Sequence, residues 1–154
     1  MDEKKFQEKL KNLVSHSKKI SDVMTKINGR IEKWEDKKKF LNQTLEQIAT
    51  EINNSGIENI KLETVENKRT VGLQLQPTSG GAGPIQGGHL SFTPTFHFRI
   101  SVTLLEPYLK NSEPEKAKFL RDYDVEELSE DVAFKEVENY MDHLKHFFER
   151  GSVI

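Results

Sequence analysis

Glycine, histidine and arginine residues that could bind an anion lie close together in the middle of the chain. Residues 78–92, TSGGAGPIQGGHLSF, contain five of the nine glycines and lead into a segment with a further histidine and an arginine. The N–H groups of successive glycines can converge on a phosphate or carboxylate, and arginine and histidine can add charged donors. The candidate ligand-binding residues are Gly80, Gly81, Gly83, Gly87, Gly88, His89, His97 and Arg99.

This glycine-rich segment lacks the features of established phosphate-binding loops. It contains neither a Gly-Lys-Ser/Thr triplet nor a Gly-x-Gly-x-x-Gly pattern, and the residues that follow predict a strand rather than a helix. Two interpretations stay open: a connector between strands, or a loop that orders over a ligand or a partner. The second is kept because the segment is longer than most hairpin loops, and long loops are often functional.

The other chemistry-bearing residues form no catalytic or metal-binding pattern. His143 and His146 are three residues apart on a predicted helix, but no third metal ligand is identifiable beside them. The chain contains no cysteine, which excludes disulfides, thiolate metal sites and cysteine nucleophiles. No Ser/His/Asp arrangement or carboxylate pair of predictable geometry is evident. We therefore expect a protein that is not an enzyme and has no metal or cofactor.

The first third of the chain carries apolar residues at alternating spacings of four and three. Between residues 6 and 52, twelve of fourteen such positions are apolar, and the phase continues across Asn28-Gly29, a dipeptide typical of turns. The pattern predicts one continuous helix with coiled-coil character, with an antiparallel helical hairpin as the alternative. The residues expected to mediate oligomerisation are Leu13, Ile20, Ile27, Ile31, Trp34, Leu41, Leu45 and Ile48.

The length of this helix indicates that a second chain covers its apolar stripe. A helix of about 47 residues extends about 70 Å, whereas a globule of about 100 residues has a radius of gyration near 13 Å. Few attractive charge pairs flank the stripe, and Val14, Val23 and Ala49 widen it. These features favour an antiparallel pair or a multi-helix bundle over a parallel two-stranded zipper, without deciding the orientation.

The rest of the chain predicts a small antiparallel sheet covered by helices. Apolar alternation predicts a hairpin over residues 60–75, and a third strand over residues 90–104, or two strands joined at a bulge at Pro94. A short helix is expected after residues 111–112, and a longer one between Ser129 and Arg150. The charged stretch between them, DYDVEELSED, predicts a helical connector or an acidic contact patch. The expected fold is α+β, with a long N-terminal helix, a sheet of three to four strands and C-terminal helices.

These elements predict two parts with different charges. Residues 1–53 form a helical oligomerisation segment, and residues 54–154 form a small α+β head with the glycine-rich loop at 77–89. Residues 1–52 hold 12 basic and 9 acidic residues, whereas residues 106–154 hold 7 and 13. The basic N-terminal part and the acidic C-terminal part can attract each other. Because basic and acidic residues are both numerous, the charges do not favour a surface that binds nucleic acid. No apolar run long enough for a membrane span and no apolar leader is present, so we expect a cytoplasmic protein without membrane contact.

Two functions from different classes are compatible with these features. The first is a homo-oligomeric interaction or scaffold protein, a homodimer or larger, whose head binds a protein partner. The alternative is a protein that binds or sequesters a small nucleotide-like anion with its glycine-rich loop and the polar face of its third strand, at a subunit interface.

Overall fold

The structure is a computed structural model that describes residues 2–76, 85–95, 97–109 and 116–151. Its elements are α1 (Glu3–Asn53), β1 (Leu62–Glu66), β2 (Val71–Leu75), β3 (Ile85–Gln86), β4 (His89–Pro94), β5 (Arg99–Leu105), β6 (Tyr108–Leu109), β7 (Lys118–Asp124), a 3-10 helix (Val125–Glu127) and α2 (Glu130–Gly151). These elements confirm the predicted α+β fold.

Helix α1 runs for 51 residues without a break. Asp2 caps its N-terminus by accepting a hydrogen bond from a backbone N–H of the first turn. Asn28 and Gly29 lie inside the helix, so the prediction of one continuous helix is confirmed and the hairpin alternative is wrong. At the other end, the Asn53 side chain hydrogen-bonds both the carbonyl and the N–H of Leu62, at 2.8 and 2.9 Å. This double contact joins the end of α1 to the first strand.

Five strands form one antiparallel sheet in the order β1-β2-β4-β5-β7, and β3 pairs with β6 in a separate ribbon. The hairpin predicted over residues 60–75 is confirmed as β1 and β2. The prediction of three to four strands is wrong, because residues 118–124 form β7 rather than part of a helical connector. This strand lies at the edge of the sheet, where charged residues are common and the apolar alternation is correspondingly weak.

Residues 90–104 form two strands, as one of the two alternatives predicted, but a hairpin turn after Pro94 joins them rather than a bulge. β4 ends at Pro94, and Phe98 adopts left-handed backbone (φ 58°) in the turn that leads into β5. Pro94 lies opposite Ile100, and Leu90 lies opposite Leu104, so even-numbered residues pair with even-numbered residues. The apolar alternation therefore continues in phase through the turn, and the sequence of a hairpin looks like that of a single strand.

One face of the sheet packs against the second half of α1 and against α2. This core joins α1 to the head, because buried residues of the helix share one cluster with the sheet and with α2. α2 and the 3-10 helix are the described C-terminal helices, and the short helix expected after residues 111–112 begins outside the described residues. Within the described part of the chain, neither helix has an apolar stretch that could cross a bilayer. The helical members of the core are Trp34, Leu41, Leu45, Ile48, Ala49, Ala133, Val137, Tyr140 and Leu144.

An ion pair between a partly exposed arginine and a buried carboxylate joins α2 to the edge strand β7. Glu136 is fully buried, and its Oε1 lies 2.6 Å from Nε of Arg121. The hydroxyl of Tyr123 donates a 2.5 Å hydrogen bond to the same oxygen. Burial, together with this hydrogen bond, raises the pKa of Tyr123 to about 12. Nothing in the sequence pattern indicates this cluster, because Glu136 lies in a run of charged helical residues and β7 is not predicted.

Candidate functional site

The candidate ligand-binding residues fall into two groups at opposite ends of the β4–β5 hairpin. Gly87, Gly88 and His89 lie at the start of β4, and His89 is opposite Leu105. Arg99 lies at the other end of β5, six residues from Leu105, which corresponds to about 20 Å along a strand. The turn between the strands produces this separation, so the described candidates do not form the single site that their closeness in sequence predicts. Gly80, Gly81 and Gly83 lie outside the described residues.

Arg99 is paired within its own chain. Its Nε and Nη2 donate hydrogen bonds of 3.0 and 3.1 Å to the two carboxylate oxygens of Asp122. The hydrogen bond from Arg99 lowers the pKa of Asp122, and the same contact raises the pKa of the guanidinium. This bidentate geometry uses the fork that would otherwise hold a phosphate or carboxylate. Sequence reasoning missed the pair because Asp122 belongs to the strand that it did not predict.

His97 lies in the turn between β4 and β5 rather than on the polar face of a strand. Its side chain is exposed, and its backbone carbonyl accepts a 3.1 Å hydrogen bond from Nη1 of Arg30. This contact lies where α1 reaches the head. The residue therefore marks a junction between the helix and the sheet, at the end of the hairpin away from His89.

His89 is half-buried beside a polar cluster at the end of the sheet. Its register partner is Gln74, which in turn lies opposite Glu63. The side-chain amides of Gln74 and Gln76 donate to the two carboxylate oxygens of Glu63. Burial lowers the pKa of His89, and the nearby charge of Glu63 opposes this shift only in part. Burial therefore disfavours the charged form of His89, which is the form that would attract an anionic ligand.

The lowered pKa of His89 makes the head less stable in acid. The ordinary pKa is 6.5, and the folded value is lower, so the unfolded chain binds the proton more tightly. Stability is present at higher pH and is lost as the pH falls below about 6.5. We expect the urea midpoint of the unaltered chain to fall more between about pH 7.5 and about pH 5.5 than that of His89→Gln. Equal decreases in both proteins would contradict this assignment.

Gly87 and Gly88 have structural roles in the turn that leads from β3 into β4. Both are buried and have left-handed backbone, with φ values of 83° and 68°. A Cβ atom at Gly87 would lie 2.7 Å from the carbonyl oxygen of Glu106 and 2.9 Å from the ring of Tyr108. The carbonyl of Gly88 accepts a hydrogen bond from the hydroxyl of Tyr140 on α2. The backbone conformation and close packing of this turn therefore account for glycine at both positions, without a bound anion.

Gly87→Ala is expected to destabilise the head by roughly 3 kcal/mol, because it combines an unfavourable backbone conformation with two close contacts. Gly56→Ala is the matched control, since Gly56 also has positive φ (77°) but nothing within 4 Å of the added methyl group. The control is expected to cost only about 1 kcal/mol. Urea denaturation of both variants measures the difference, and equal losses would show that the contacts at Gly87 relax without cost.

The candidate oligomerisation residues divide between the core and the solvent. Trp34, which is 2% exposed, and the three residues after it in the predicted set are buried in the core of their own chain. The structure thus assigns Leu41, Leu45 and Ile48 to the head instead of leaving them for a second chain. Ile27 and Ile31 are partly buried, whereas Leu13 and Ile20 are 61% and 59% exposed.

The first half of α1 extends away from the head. All residues from 2 to 26 are exposed, and we call residues 3–26 the projecting segment. Ser17, the polar residue in its apolar stripe, donates its hydroxyl to the carbonyl of Leu13 at 2.8 Å, so its polar group is satisfied within the helix. Seven lysines and three acidic residues make the segment basic. Its exposed large apolar residues are Phe6, Leu10, Leu13, Val14, Ile20, Val23 and Met24.

The head also exposes aromatic side chains that sequence reasoning did not single out as surface groups. Phe119 on β7 is 63% exposed and lies opposite Thr103, on the side of the sheet away from the core. Phe134 and Phe148 are exposed on α2. The apolar spacing of α2 predicts that Phe134 and Phe148 pack against the sheet, and for these two residues that prediction is wrong.

The histidines of α2 lie in no candidate metal site among the described residues. Within them, no group of three or more histidine, aspartate or glutamate side chains is placed to hold a metal ion. His146 is exposed, and its Nδ1 lies 2.9 Å from the carbonyl oxygen of Asp142 on the same helix. The histidine pair of α2 therefore does not converge with further ligands in this part of the chain.

Comparisons with models of protein families, with curated protein sequences and with solved structures find no match for this chain. Of the thirteen exposed large apolar side chains among the described residues, seven lie on the projecting segment.

Proposed function

We propose that the protein is a homo-oligomeric interaction protein, assembled through the projecting segment of α1 and presenting its head to a protein partner. The observation that carries this proposal is the continuous exposure of a helix with seven large apolar side chains on it. Burying one such side chain stabilises a protein by about 1.5–3 kcal/mol relative to leaving it in water. Monomeric proteins rarely leave a contiguous apolar surface of this kind uncovered.

The helical state of the projecting segment also supports a partner. An isolated helix of about 20 residues is marginal in water, because most helical stability in proteins comes from packing of the apolar face. Among the described residues, none packs against the apolar side of the segment, and residues 3–26 are all exposed. A second copy offers the same heptad spacing, and side chains spaced in this way pack into the gaps of an identical stripe.

The head is the part left to contact another protein once the helices have assembled. The face of the sheet away from the core contains small polar residues, among them Ser91, Ser101 and Thr103, with Phe119 at the edge strand. Exposed aromatic groups are frequent anchors in protein interfaces, and small side chains beside them allow close approach. This face supports a role of the head in binding a protein.

The nucleotide-like anion of the alternative function has little support in the described residues. Arg99 is engaged by Asp122, and His89 has a lowered pKa beside a carboxylate. The two positions lie at opposite ends of the hairpin. We therefore do not propose this function for the site that the sequence predicted.

The mass of the protein in solution tests the proposed self-assembly. Light scattering coupled to size-exclusion chromatography is expected to give a multiple of the chain mass of 17.8 kDa, decreasing towards one chain only on strong dilution. A mass of one chain at every concentration up to the solubility limit would refute the proposal.

A further inference from the structure

We infer that two chains pair antiparallel through their projecting segments, so that the N-terminal end of each α1 lies against the head of the other chain. The inference rests on the proposed self-assembly and adds the orientation of the partner. It follows from two features of the structure: where the stripe becomes buried, and which residues are then opposite one another.

The head blocks a parallel pair. The apolar stripe continues without a change of phase from the projecting segment to Trp34 and beyond, and from Trp34 the chain's own sheet and α2 cover it. Paired helices lie about 8–10 Å apart, and the layer packed on Trp34 occupies that distance. In a parallel pair, each α1 would have to diverge from the other near Ile31 to avoid the other chain's head. In an antiparallel pair, the partner's α1 begins at this level, after its Asp2 cap, and needs no such divergence.

One antiparallel register uses the whole exposed stripe. When Phe6 lies opposite Ile31, each position of the apolar stripe between these two residues faces a stripe position of the other chain. In this register Glu3 is level with Trp34, so the partner helix ends where the stripe becomes buried. Overlap of the two helices is then about 45 Å long. The opposed pairs are Phe6 with Ile31, Leu10 with Ile27, Leu13 with Met24, and Ser17 with Ile20.

Pairs of engineered thiols test the orientation, and the absence of native cysteine makes each result unambiguous. Leu10→Cys and Ile27→Cys chains are mixed, unfolded, refolded together and oxidised mildly. The antiparallel register places these two positions side by side, whereas two copies of position 10 are about 25 Å apart. We expect a disulfide between the two variants and none between two Leu10→Cys chains. A disulfide between two chains of the same variant would overturn the inference, whether or not disulfides between the two variants form as well.

Two controls keep this outcome separate from a failure of self-assembly. The mass of each reduced variant is measured first: if the variants and the unaltered chain are all monomers, the proposed function and the orientation both fail. If the unaltered chain is oligomeric but the Leu10→Cys variant dissociates, the pair Leu13→Cys and Met24→Cys repeats the test. Asn12→Cys, on the polar side of α1, is expected to form no disulfide with any of them.

Discussion

The double substitution Leu13→Asp/Ile20→Asp is expected to convert the oligomer into monomers with a folded head. Both side chains are more than half exposed in the single chain, so the head does not depend on them. In the assembled state they would be buried, and an unpaired carboxylate at an apolar contact is strongly unfavourable. Lost burial alone accounts for roughly 1.5–3 kcal/mol at each position. We therefore expect the dissociation constant to rise by at least about 1,000-fold.

A matched variant separates the loss of the apolar contact from the change in charge. Asn12→Asp/Ser15→Asp adds the same two negative charges on the polar side of the helix and should leave the mass unchanged. Light scattering measures the mass of both variants, and urea denaturation measures the stability of the head. An oligomer that survives Leu13→Asp/Ile20→Asp, or one that dissociates equally in the control, would contradict assembly through this stripe.

Arg121→Ala is expected to destabilise the head by about 3–5 kcal/mol, because it leaves the buried carboxylate of Glu136 without its cation. In the native chain, Nε of Arg121 is 2.6 Å from that carboxylate, and Glu136 is fully buried. Only the hydrogen bond from Tyr123 would remain among the contacts seen at this carboxylate. Urea denaturation at neutral pH measures the loss.

A variant without either charge shows whether the unpaired carboxylate causes the loss of stability in Arg121→Ala. The double variant Arg121→Met/Glu136→Met retains apolar volume and buries no charge, so it is expected to be more stable than Arg121→Ala despite having one more substitution. If Arg121→Ala costs less than about 1 kcal/mol, water reaches the carboxylate and the pair is an ordinary surface contact. If the double variant is the less stable of the two, the cluster contributes through its hydrogen bond to Tyr123 more than through its charges.

The elements that could be predicted from the sequence are those with a regular period or a clear turn. Helix α1 follows from a heptad pattern that continues across Gly29, and the β1–β2 hairpin follows from two alternating runs with a polar turn between them. β7 was missed because its charged residues suit a helix connector as well as they suit an edge strand. The β4–β5 turn was missed because its pairing keeps the alternation in phase across Pro94.

The relative positions of the described candidate ligand residues could not be predicted, because residues that are close in sequence need not be close in space. A single turn separates His89 from Arg99 by the length of a strand, and the partner of Arg99 comes from a segment with no clear pattern. The candidate oligomerisation residues include both buried and exposed positions for a related reason. The apolar period of a helix is the same whether the helix packs against another helix or against its own sheet, so periodicity alone could not show that burial begins near Trp34.

The position of Trp34 has an optical consequence. It is the only tryptophan of the chain, and it is buried where α1 enters the head. Its fluorescence therefore reports the environment of the head, whereas the far-ultraviolet circular dichroism of this protein is dominated by α1 and α2. Recording both signals during one denaturation distinguishes melting of the projecting helix from loss of the core, without any added label.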